Sequence, residues 1–332
     1  MVLKKQMRQT VVTGLVAVCL GAVMPVSALA AQLIPVGCAV GIEVEVDGVL
    51  VEKLCEVETA DSTVQPAKAA GLKKGDVILA INGEEVDDLE DFSDELRELK
   101  GKTVELTVMR EAKTFTCELT PVLSKDGEYR LGLWLRDRVS GIGTVTYYDP
   151  KSGEYGALGH GINDPESGML IPITNGKTFD ASVVDVVPGK SGDPGELTGS
   201  FDTGAVFGTV AGNTVYGIFG HCGKIGCGDV METAAAGEVK VGEAQILSTV
   251  DGSEPRMYDI RIDKIRRSGD EERYQLTVTD HELLERTGGV VCGMSGSPII
   301  QNGKLVGAVT HVLVNDPTKG YGIFIENMLD AA

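Results

Sequence analysis

Positive charge is scarce in this sequence. Its 332 residues include 30 lysines and arginines against 49 aspartates and glutamates, which gives a formal net charge of −19 at pH 7. Such a chain repels phosphate backbones, and no basic cluster lies beyond its N-terminus, so the composition argues against nucleic-acid binding. Aromatic residues make up 5% of the chain while 43 residues are glycine, a composition typical of short strands joined by many turns.

Regular cysteine and histidine spacings are also lacking. The seven cysteines form no disulfide framework, although Cys222 and Cys227 bracket a glycine-rich turn and are the nearest candidates for a local pair. Without an HExxH sequence or paired-cysteine spacing, the pattern does not support a zinc hydrolase that uses His160, His221 and a cysteine or aspartate. The sequence therefore predicts neither a metal nor another cofactor.

The longest apolar run lies near the N-terminus. It extends from about Val11 to Ala31 and follows three basic residues, Lys4, Lys5 and Arg8. This layout is that of an export signal within residues 1–32, and residues 28–30 fit a signal-peptidase site. The run also matches the roughly 20 residues that span a bilayer, so a cleaved signal and an uncleaved anchor both remain open. In either case the basic flank places the rest of the chain outside the cytoplasm.

Residues 33–122 alternate short strands with turns and contain one acidic amphipathic helix. Residues 65–72 predict a short helix ended by glycine, and residues 75–83 predict a strand that ends in an Asn-Gly turn. Residues 87–100 place their leucines and phenylalanine on one helical face. These patterns predict a small α/β domain.

The string Ala70-Gly71-Leu72-Lys73-Lys74-Gly75-Asp76-Val77-Ile78, followed by Ile81-Asn82-Gly83, resembles the PDZ modules of bacterial proteases. The resemblance implies that residues 33–122 bind a peptide segment or C-terminus as an added strand. It also implies a Gly-containing loop whose amides hold the terminal carboxylate of that peptide. The residues expected in this loop are Gly37, Val40, Gly41 and Ile42.

Residues 123–332 show little helical periodicity before the last residues. Apolar runs between glycines predict strands over residues 141–148, 205–209, 215–219, 258–265, 274–279 and 305–312. A polar turn at residues 124–128 separates this region from the preceding one. The pattern predicts a second, all-β domain that forms a barrel or a sandwich.

A serine between glycines precedes one of these apolar runs, in Gly293-Met294-Ser295-Gly296-Ser297-Pro298. Glycines allow a sharp bend that exposes the Ser295 hydroxyl and lets the amides of Gly293 and Ser295 converge on an oxyanion. The string resembles the Gly-Asp-Ser-Gly-Gly-Pro signature of chymotrypsin-like proteases, with differences at Met294 and Ser297. Taken alone, the motif is equally compatible with a glycine hairpin in a β protein.

A serine nucleophile needs a base, and the chain contains only four histidines. His160 and His221 both follow strand-like runs and are flanked by glycine, so spacing does not separate them. His311 falls within a predicted strand, which favours a structural role, and His281 is expected on a helix surface.

The acid that orients the base is least defined by the sequence. Asp280 is the first candidate, but its position before Leu283 and Leu284 is equally that of a helix N-cap. Asp259 and Asp263, on a predicted strand, are the reserve candidates.

Three stretches together resemble the stage IV sporulation protein B peptidase family: residues 141–144, residues 155–160 (Tyr-Gly-Ala-Leu-Gly-His) and residues 280–312. The order of export segment, PDZ domain and peptidase domain is also that of the family. The resemblance implies a mostly β fold in which residues 123–332 form a chymotrypsin-like double β-barrel serine peptidase. It implies His160, Asp280 and Ser295 as the catalytic triad and the amides of Gly293 and Ser295 as the oxyanion hole. His221 and Cys222 stand outside the family pattern.

The resemblance also implies a role in sporulation signalling. Such an enzyme is exported from the forespore into the intermembrane space, where it is secreted or anchored by its N-terminal segment. It cleaves, at the membrane surface, a membrane-anchored regulator of an intramembrane metalloprotease, so that a late sigma factor is activated, and it also processes itself. The alternative is a PDZ-containing peptide-binding protein with an inactive protease-like domain.

Overall fold

The computed structural model of the protein describes residues 30–165, 168–223, 228–267 and 272–332. The export segment predicted for residues 1–32 lies outside these ranges except for its last three residues, and Cys227 of the predicted cysteine pair also lies outside them. Within them, no helix is both long and apolar enough to cross a membrane. The chain from Gln32 to Ala332 forms one compact unit.

The N-terminal third of the described chain contains the small α/β region that its sequence predicts. Its elements are β1 (Gln32–Pro35), β2 (Ala39–Leu54), β3 (Val57–Glu58), β4 (Thr63–Val64), α1 (Pro66–Ala69), β5 (Val77–Ile81), β6 (Glu84–Glu85), α2 (Leu89–Glu98), β7 (Val104–Arg110) and β8 (Lys113–Leu119). Asn82 (φ 51°) and Gly83 (φ 87°) are both left-handed and form the predicted turn between β5 and β6. The two predicted helices and the predicted strand are therefore confirmed.

Helix α2 forms because its sequence combines a cap with an apolar face. The carboxylate of Asp88 accepts hydrogen bonds from the amides of Glu90 and Asp91, which satisfies two backbone donors at the helix start. On the apolar face of the helix, Phe92 packs into a cluster with residues of β2, β5, β7 and β8. Leu131, Leu133 and Leu135, which follow residue 122, pack in the same cluster.

The next elements along the chain build a ring of strands. They are β9 (Val122–Leu123), β10 (Tyr129–Arg130), β11 (Leu133–Tyr148), β12 (Glu154–Ala157), β13 (Ile173–Val187), β14 (Glu196–Thr214), β15 (Gly217–Cys222) and β16 (Met231–Glu232). Antiparallel pairing runs from β11 through β12, β15, β14 and β13 to β2, and β2 pairs with β11 again. These pairings close a six-stranded ring around buried residues such as Val145, Tyr155 and Ile218.

The remaining elements form a closed six-stranded barrel with the order β17-β18-β19-β22-β21-β20. They are a 3₁₀ turn (Ala236–Glu238), β17 (Gly242–Ser248), β18 (Arg256–Arg266), β19 (Arg273–Val278), α3 (His281–Thr287), β20 (Pro298–Gln301), β21 (Lys304–Val312), β22 (Lys319–Phe324) and α4 (Ile325–Leu329). Alternate residues of β19, namely Tyr274, Leu276 and Val278, are buried in its core. The strands predicted from alternation in this half of the chain are confirmed.

Strand β2 belongs to both the α/β region and the six-stranded ring. In its first half, Gly41 lies opposite Ile142 of β11 on one edge and Phe179 of β13 on the other. In its second half, Val49 and Leu50 pair with β5. A single continuous strand therefore joins the two regions.

This arrangement corrects the predicted carboxylate-binding loop. Val40, Gly41 and Ile42 are strand residues that pair with β11 on one edge and with β13 on the other. Their backbone groups therefore form hydrogen bonds within the sheet and do not face a peptide terminus. Gly37 precedes the strand, where its amide donates to the carbonyl of Val145 at 2.9 Å. Gly41 is needed in the strand for another reason, because a Cβ there would lie 2.3 Å from the ring of Phe201.

Candidate active site

His160 stands just beyond β12, on a turn that the backbone holds in an unusual conformation. Leu158 (φ 70°) and Gly159 (φ 67°) are both left-handed, which is a strained state for leucine. The buried Leu158 side chain and the bond from its amide to the Thr144 carbonyl (3.1 Å) hold this turn in place. The strand therefore ends abruptly and the next side chain, His160, lines a cavity.

Ser295 lies on a second turn, between α3 and β20, where glycine is required. Gly296 has φ 97°, and a Cβ added to it would lie 2.0 Å from the Thr144 carbonyl oxygen. Thr144 of β11 also donates from its hydroxyl to the Gly293 carbonyl (2.9 Å) and from its amide to the Ser295 carbonyl (3.0 Å). One residue of the ring thus fixes both sides of the turn that carries the serine.

His160 and Ser295 line the same cavity, which has a volume of about 530 Å³. Its walls come from residues 139–142 of β11, residues 158 and 160–163 after β12, residues 290–293 and 295 of the serine turn, and residues 310–312 and 314 at the end of β21, together with Ile42 and Pro194. The ring supplies one wall and the six-stranded barrel supplies the other. The fold therefore brings together two residues that are 135 positions apart in the sequence (295 minus 160).

The surroundings of His160 keep its imidazole neutral. Burial lowers the pKa of His160, and the hydrogen bond with Gly161 only partly opposes this effect. Its Nδ1 lies 2.8 Å from the Gly161 carbonyl oxygen, a contact that places the proton on Nδ1 and leaves Nε2 as an acceptor. His160 is therefore in the form that a general base needs.

The ring of His311 packs against that of His160. The two ring centroids are 4.7 Å apart with an angle of 34° between the planes, and both residues line the cavity. The His311 residue as a whole is exposed, but partial burial of its imidazole and the neighbouring His160 lower its pKa to about 4. The pair is thus uncharged at neutral pH.

The hydroxyl of Ser295 donates to the carbonyl of Thr310 at 2.7 Å. It must turn away from this acceptor to reach the imidazole of His160. The amides of Gly293 and Ser295 donate to no acceptor among the described residues, and both residues line the cavity. Two unpaired amides beside a nucleophile can stabilise a developing oxyanion.

Comparison with known proteins decides the family. The model of the SpoIVB peptidase S55 family matches residues 127–329, which is more than half of the chain, and the PDZ domain model matches residues 40–120. The chain belongs to the SpoIVB peptidase S55 family. It is therefore a peptidase of the serine protease class with a PDZ domain.

Other similarities of this SpoIVB-family peptidase are partial. A Lactococcus lactis protein named as a zinc metalloprotease is 43% identical over 68 residues, which are 20% of this chain and 16% of that relative. The PDZ domain of an SdrC-like protein from Listeria monocytogenes is 26% identical, with 27% of this chain and 87% of that chain covered and a TM-score of 0.22. The Rv3671c protease of M. tuberculosis is 18% identical, with coverage of 58% and 72% and a TM-score of 0.33.

Asp280, the predicted acid of this peptidase, is the N-cap of α3. Its carboxylate accepts hydrogen bonds from the amides of Leu283 (2.9 Å) and Asp259 (3.3 Å), so both of its oxygens are engaged in the barrel. It is not among the residues that line the cavity of His160 and Ser295. The structure thus brings two of the three predicted catalytic residues together, and the catalytic role of Asp280 stays a prediction.

The carboxylates of the two reserve acids, Asp259 and Asp263, also accept hydrogen bonds from other barrel residues. The carboxylate of Asp259 accepts from Gln245 Nε2 at 2.9 Å. Asp263 accepts from Arg261 Nε at 2.7 Å and from the hydroxyl of Thr277. Neither residue lines the cavity.

His221 lies on β15, away from the residues that line the cavity. Its Nε2 is 3.7 Å from the carboxylate of Glu154 on the neighbouring strand. Among the described residues, no group of three or more His, Cys, Asp or Glu side chains is arranged to hold a metal ion. His160 and His221 therefore do not share a site.

Sequence reasoning missed His311 and Thr144 as parts of the site. His311 was expected to be structural because it falls within an apolar strand, and Thr144 carries no motif of its own. A signal for His311 existed, since β20 follows the serine turn and an Asn-Gly pair at residues 302–303 predicts a hairpin that returns the end of β21 to that turn. The strand pairing in the barrel, which cannot be read from the sequence, brings His311 to the serine turn.

Proposed function

We propose that this peptidase hydrolyses peptide bonds with Ser295 as the nucleophile and His160 as the general base, in a chymotrypsin-like fold of two β-barrels. The observation that carries the proposal is the shared cavity, in which Ser295, a neutral His160 and the unpaired amides of Gly293 and Ser295 meet. Nucleophile, base and oxyanion donors are the three parts that acyl transfer requires.

The reaction follows from these positions. The Ser295 hydroxyl turns from the Thr310 carbonyl and gives its proton to Nε2 of His160 as Oγ attacks the scissile carbonyl carbon. The amides of Gly293 and Ser295 stabilise the oxyanion. His160 then donates the proton to the departing amine, the C–N bond breaks, and water hydrolyses the acyl-enzyme by the same route.

The acidic member of the proposed triad is Asp280, on the strength of the family resemblance. In the described structure the group that orients His160 is the Gly161 carbonyl, which lies 2.8 Å from Nδ1. Both oxygens of Asp280 accept hydrogen bonds within the barrel, so its place in the triad is supported by the resemblance and not by a contact with His160.

The wider role that we propose is that of an exported serine endopeptidase of sporulation signalling. It acts in the intermembrane space of the forespore on a membrane-anchored regulator of an intramembrane metalloprotease, so that a late sigma factor is activated. It also processes itself, and its PDZ domain binds a peptide segment or C-terminus. Family membership, the order of the domains and the basic-then-apolar N-terminus support this role.

Self-cleavage offers the first test. Purified wild-type protein and the Ser295→Ala variant are incubated separately, and any fragments are identified by mass spectrometry. We expect fragments from the wild type alone. Identical fragments from both proteins would contradict Ser295 as nucleophile. The same pair of proteins, incubated with vesicles that carry the membrane-anchored regulator, tests the proposed substrate.

A peptide-binding protein with an inactive protease-like domain is the second candidate. The observation that favours it is the hydroxyl of Ser295, which bonds to Thr310 and not to His160. A fluorophosphonate probe separates the two, because it labels a serine only when a base activates it. Absence of label on Ser295 in folded protein would favour the binding protein.

A further inference from the structure

The cavity beside Ser295 is far larger than the catalytic groups require. Its volume of about 530 Å³ lies within the range of about 300–1,000 Å³ that is typical of sites for small molecules or side chains. It is also the place where a substrate must lie, because the nucleophile and both oxyanion donors face it. Its walls therefore contact the residues on either side of the scissile bond.

The walls are aliphatic on both sides of the nucleophile. Val139 and Ile142 of β11 form part of one wall, Val290 and Val291 precede the oxyanion amides, and Val312 and Val314 follow His311. Val290 and Val291 are 2% and 1% exposed and pack in the barrel core, so they support the wall from behind. The accessible surface of the wall comes from the half-buried or exposed side chains of Val139, Ile142, Val312 and Val314. These side chains offer dispersion and apolar contact, and no hydrogen bond.

No aspartate, glutamate, lysine or arginine is among the residues that line the cavity in the described chain. Its two titratable imidazoles, His160 and His311, both have a lowered pKa and are neutral at pH 7. A charged substrate side chain that enters would lose water and gain no counter-charge, which is costly in an apolar site. An apolar side chain would gain from the same burial.

We propose that this cavity selects apolar residues beside the scissile bond, with the aliphatic side chains around Ser295 as the specificity determinants. The inference deepens the proposed peptidase function and rests on it. It names a substrate class, namely unstructured peptide segments whose scissile bond is flanked by aliphatic or aromatic residues. Charged residues are excluded from the cavity by desolvation.

The test uses the full chain and a mixed library of synthetic peptides. Wild-type protein and Ser295→Ala are incubated with the library, and mass spectrometry identifies every cleavage site that depends on Ser295. We expect aliphatic or aromatic residues on at least one side of these sites, and rates about 100-fold higher than for matched peptides with Asp or Lys there. Bonds flanked by charged residues that are cleaved as fast would overturn the specificity proposal and leave the peptidase intact. No Ser295-dependent cleavage at all would overturn the peptidase function itself, and the specificity proposal with it.

A matched pair of variants locates the specificity. Val314 lines the cavity and is 47% exposed, so Val314→Lys adds a charge there without burying it on folding. Val241, 60% exposed and outside the cavity, provides the control Val241→Lys. We expect Val314→Lys to raise cleavage beside acidic residues at least about 10-fold relative to apolar ones, and Val241→Lys to keep the wild-type profile. Unchanged preferences in Val314→Lys, with a thermal unfolding curve like that of wild type, would contradict the proposal.

Discussion

At the scale of single residues, two serines that are two positions apart have opposite surroundings. Ser295 lines the cavity, whereas Ser297 is fully buried with its Oγ 2.9 Å from Ser248 Oγ and 2.7 Å from the Met294 carbonyl. Ser295→Ala should fold normally and lose at least about 10³-fold in cleavage rate. Ser297→Ala should keep the mechanism and lower the free energy of unfolding by about 1–3 kcal/mol.

Cleavage assays and urea titrations of the two variants check this contrast. A Ser297→Ala protein that is stable but inactive would mean that the nucleophile has been assigned to the wrong serine.

Asp280 has a structural role that can be separated from a catalytic one. Asparagine is as good an N-cap as aspartate, so Asp280→Asn should retain the stability of α3, whereas Asp280→Ala should cost about 1 kcal/mol. If Asp280 is the acid of the triad, Asp280→Asn should still lose at least about 10²-fold in kcat. Thermal unfolding and cleavage kinetics of both variants measure the two effects. Wild-type kcat in Asp280→Asn would assign Asp280 to the helix cap alone and leave the Gly161 carbonyl to orient His160.

Burial of His160 sets the acid limit of the proposed activity. The pKa of His160 lies below the 6.5 of an unperturbed imidazole. The base therefore stays neutral at pH 6.5, and kcat/KM should decline only when the pH falls through the lowered pKa of His160.

The imidazole of His311 covers one face of the His160 ring. His311→Ala should admit water and move the decline up towards 6.5, whereas His311→Phe keeps a ring in place and should leave the decline near its wild-type pH. Profiles of kcat/KM against pH for the three proteins would refute this role of His311 if they coincided.

At the scale of elements, strand β11 links the ring to the serine turn through one residue. Thr144 and Thr146 are both fully buried on β11, but only Thr144 donates its hydroxyl to the serine turn, and the Thr146 hydroxyl has no partner among the described residues. Thr144→Val should lower the free energy of unfolding by about 1 kcal/mol and slow cleavage about 10-fold, because the oxyanion amides lose a support.

Thr146→Val is the matched control on the same strand. It replaces an unpaired buried hydroxyl with a methyl group of similar shape, so stability should be unchanged or higher and the cleavage rate should be that of wild type. Equal losses in both variants would show that strand packing, and not the hydrogen bond to Gly293, supports the turn.

At the scale of the whole molecule, the α/β region and the six-stranded ring share strand β2, and the α/β region also needs residues from beyond position 122. Strand β2 pairs in both, and Leu131, Leu133 and Leu135 complete the core of the α/β region although they follow residue 122. A fragment of residues 33–122 should therefore unfold without a sharp thermal transition. A fragment of residues 33–138, which restores the three leucines, should unfold cooperatively.

Circular dichroism during heating of the two fragments makes this comparison. A cooperative transition in the shorter fragment would mean that the three leucines are dispensable, and that the predicted limit near residue 122 is a true folding boundary.

Much of this fold was accessible from local pattern. Alternation predicted the strands of the barrel, the Asn-Gly pair predicted a turn, and the apolar face of residues 87–100 predicted α2, because each depends on neighbours within a few residues. The glycines around Ser295 likewise predicted a sharp turn, and Gly296 indeed has no space for a side chain. The strings around His160 and Ser295 indicated the family.

Contacts between distant segments were decided by tertiary structure alone. Strand register placed Val40–Ile42 in the middle of a sheet instead of a loop, brought His311 onto His160, and set Asp280 at a helix end away from the cavity. A sequence specifies which residues are apolar, polar or flexible, but pairing across more than a hundred positions depends on how barrels close. For this protein, the sequence by itself determined which residues could react, and the closure of the six-stranded ring and of the barrel decided which of those residues meet.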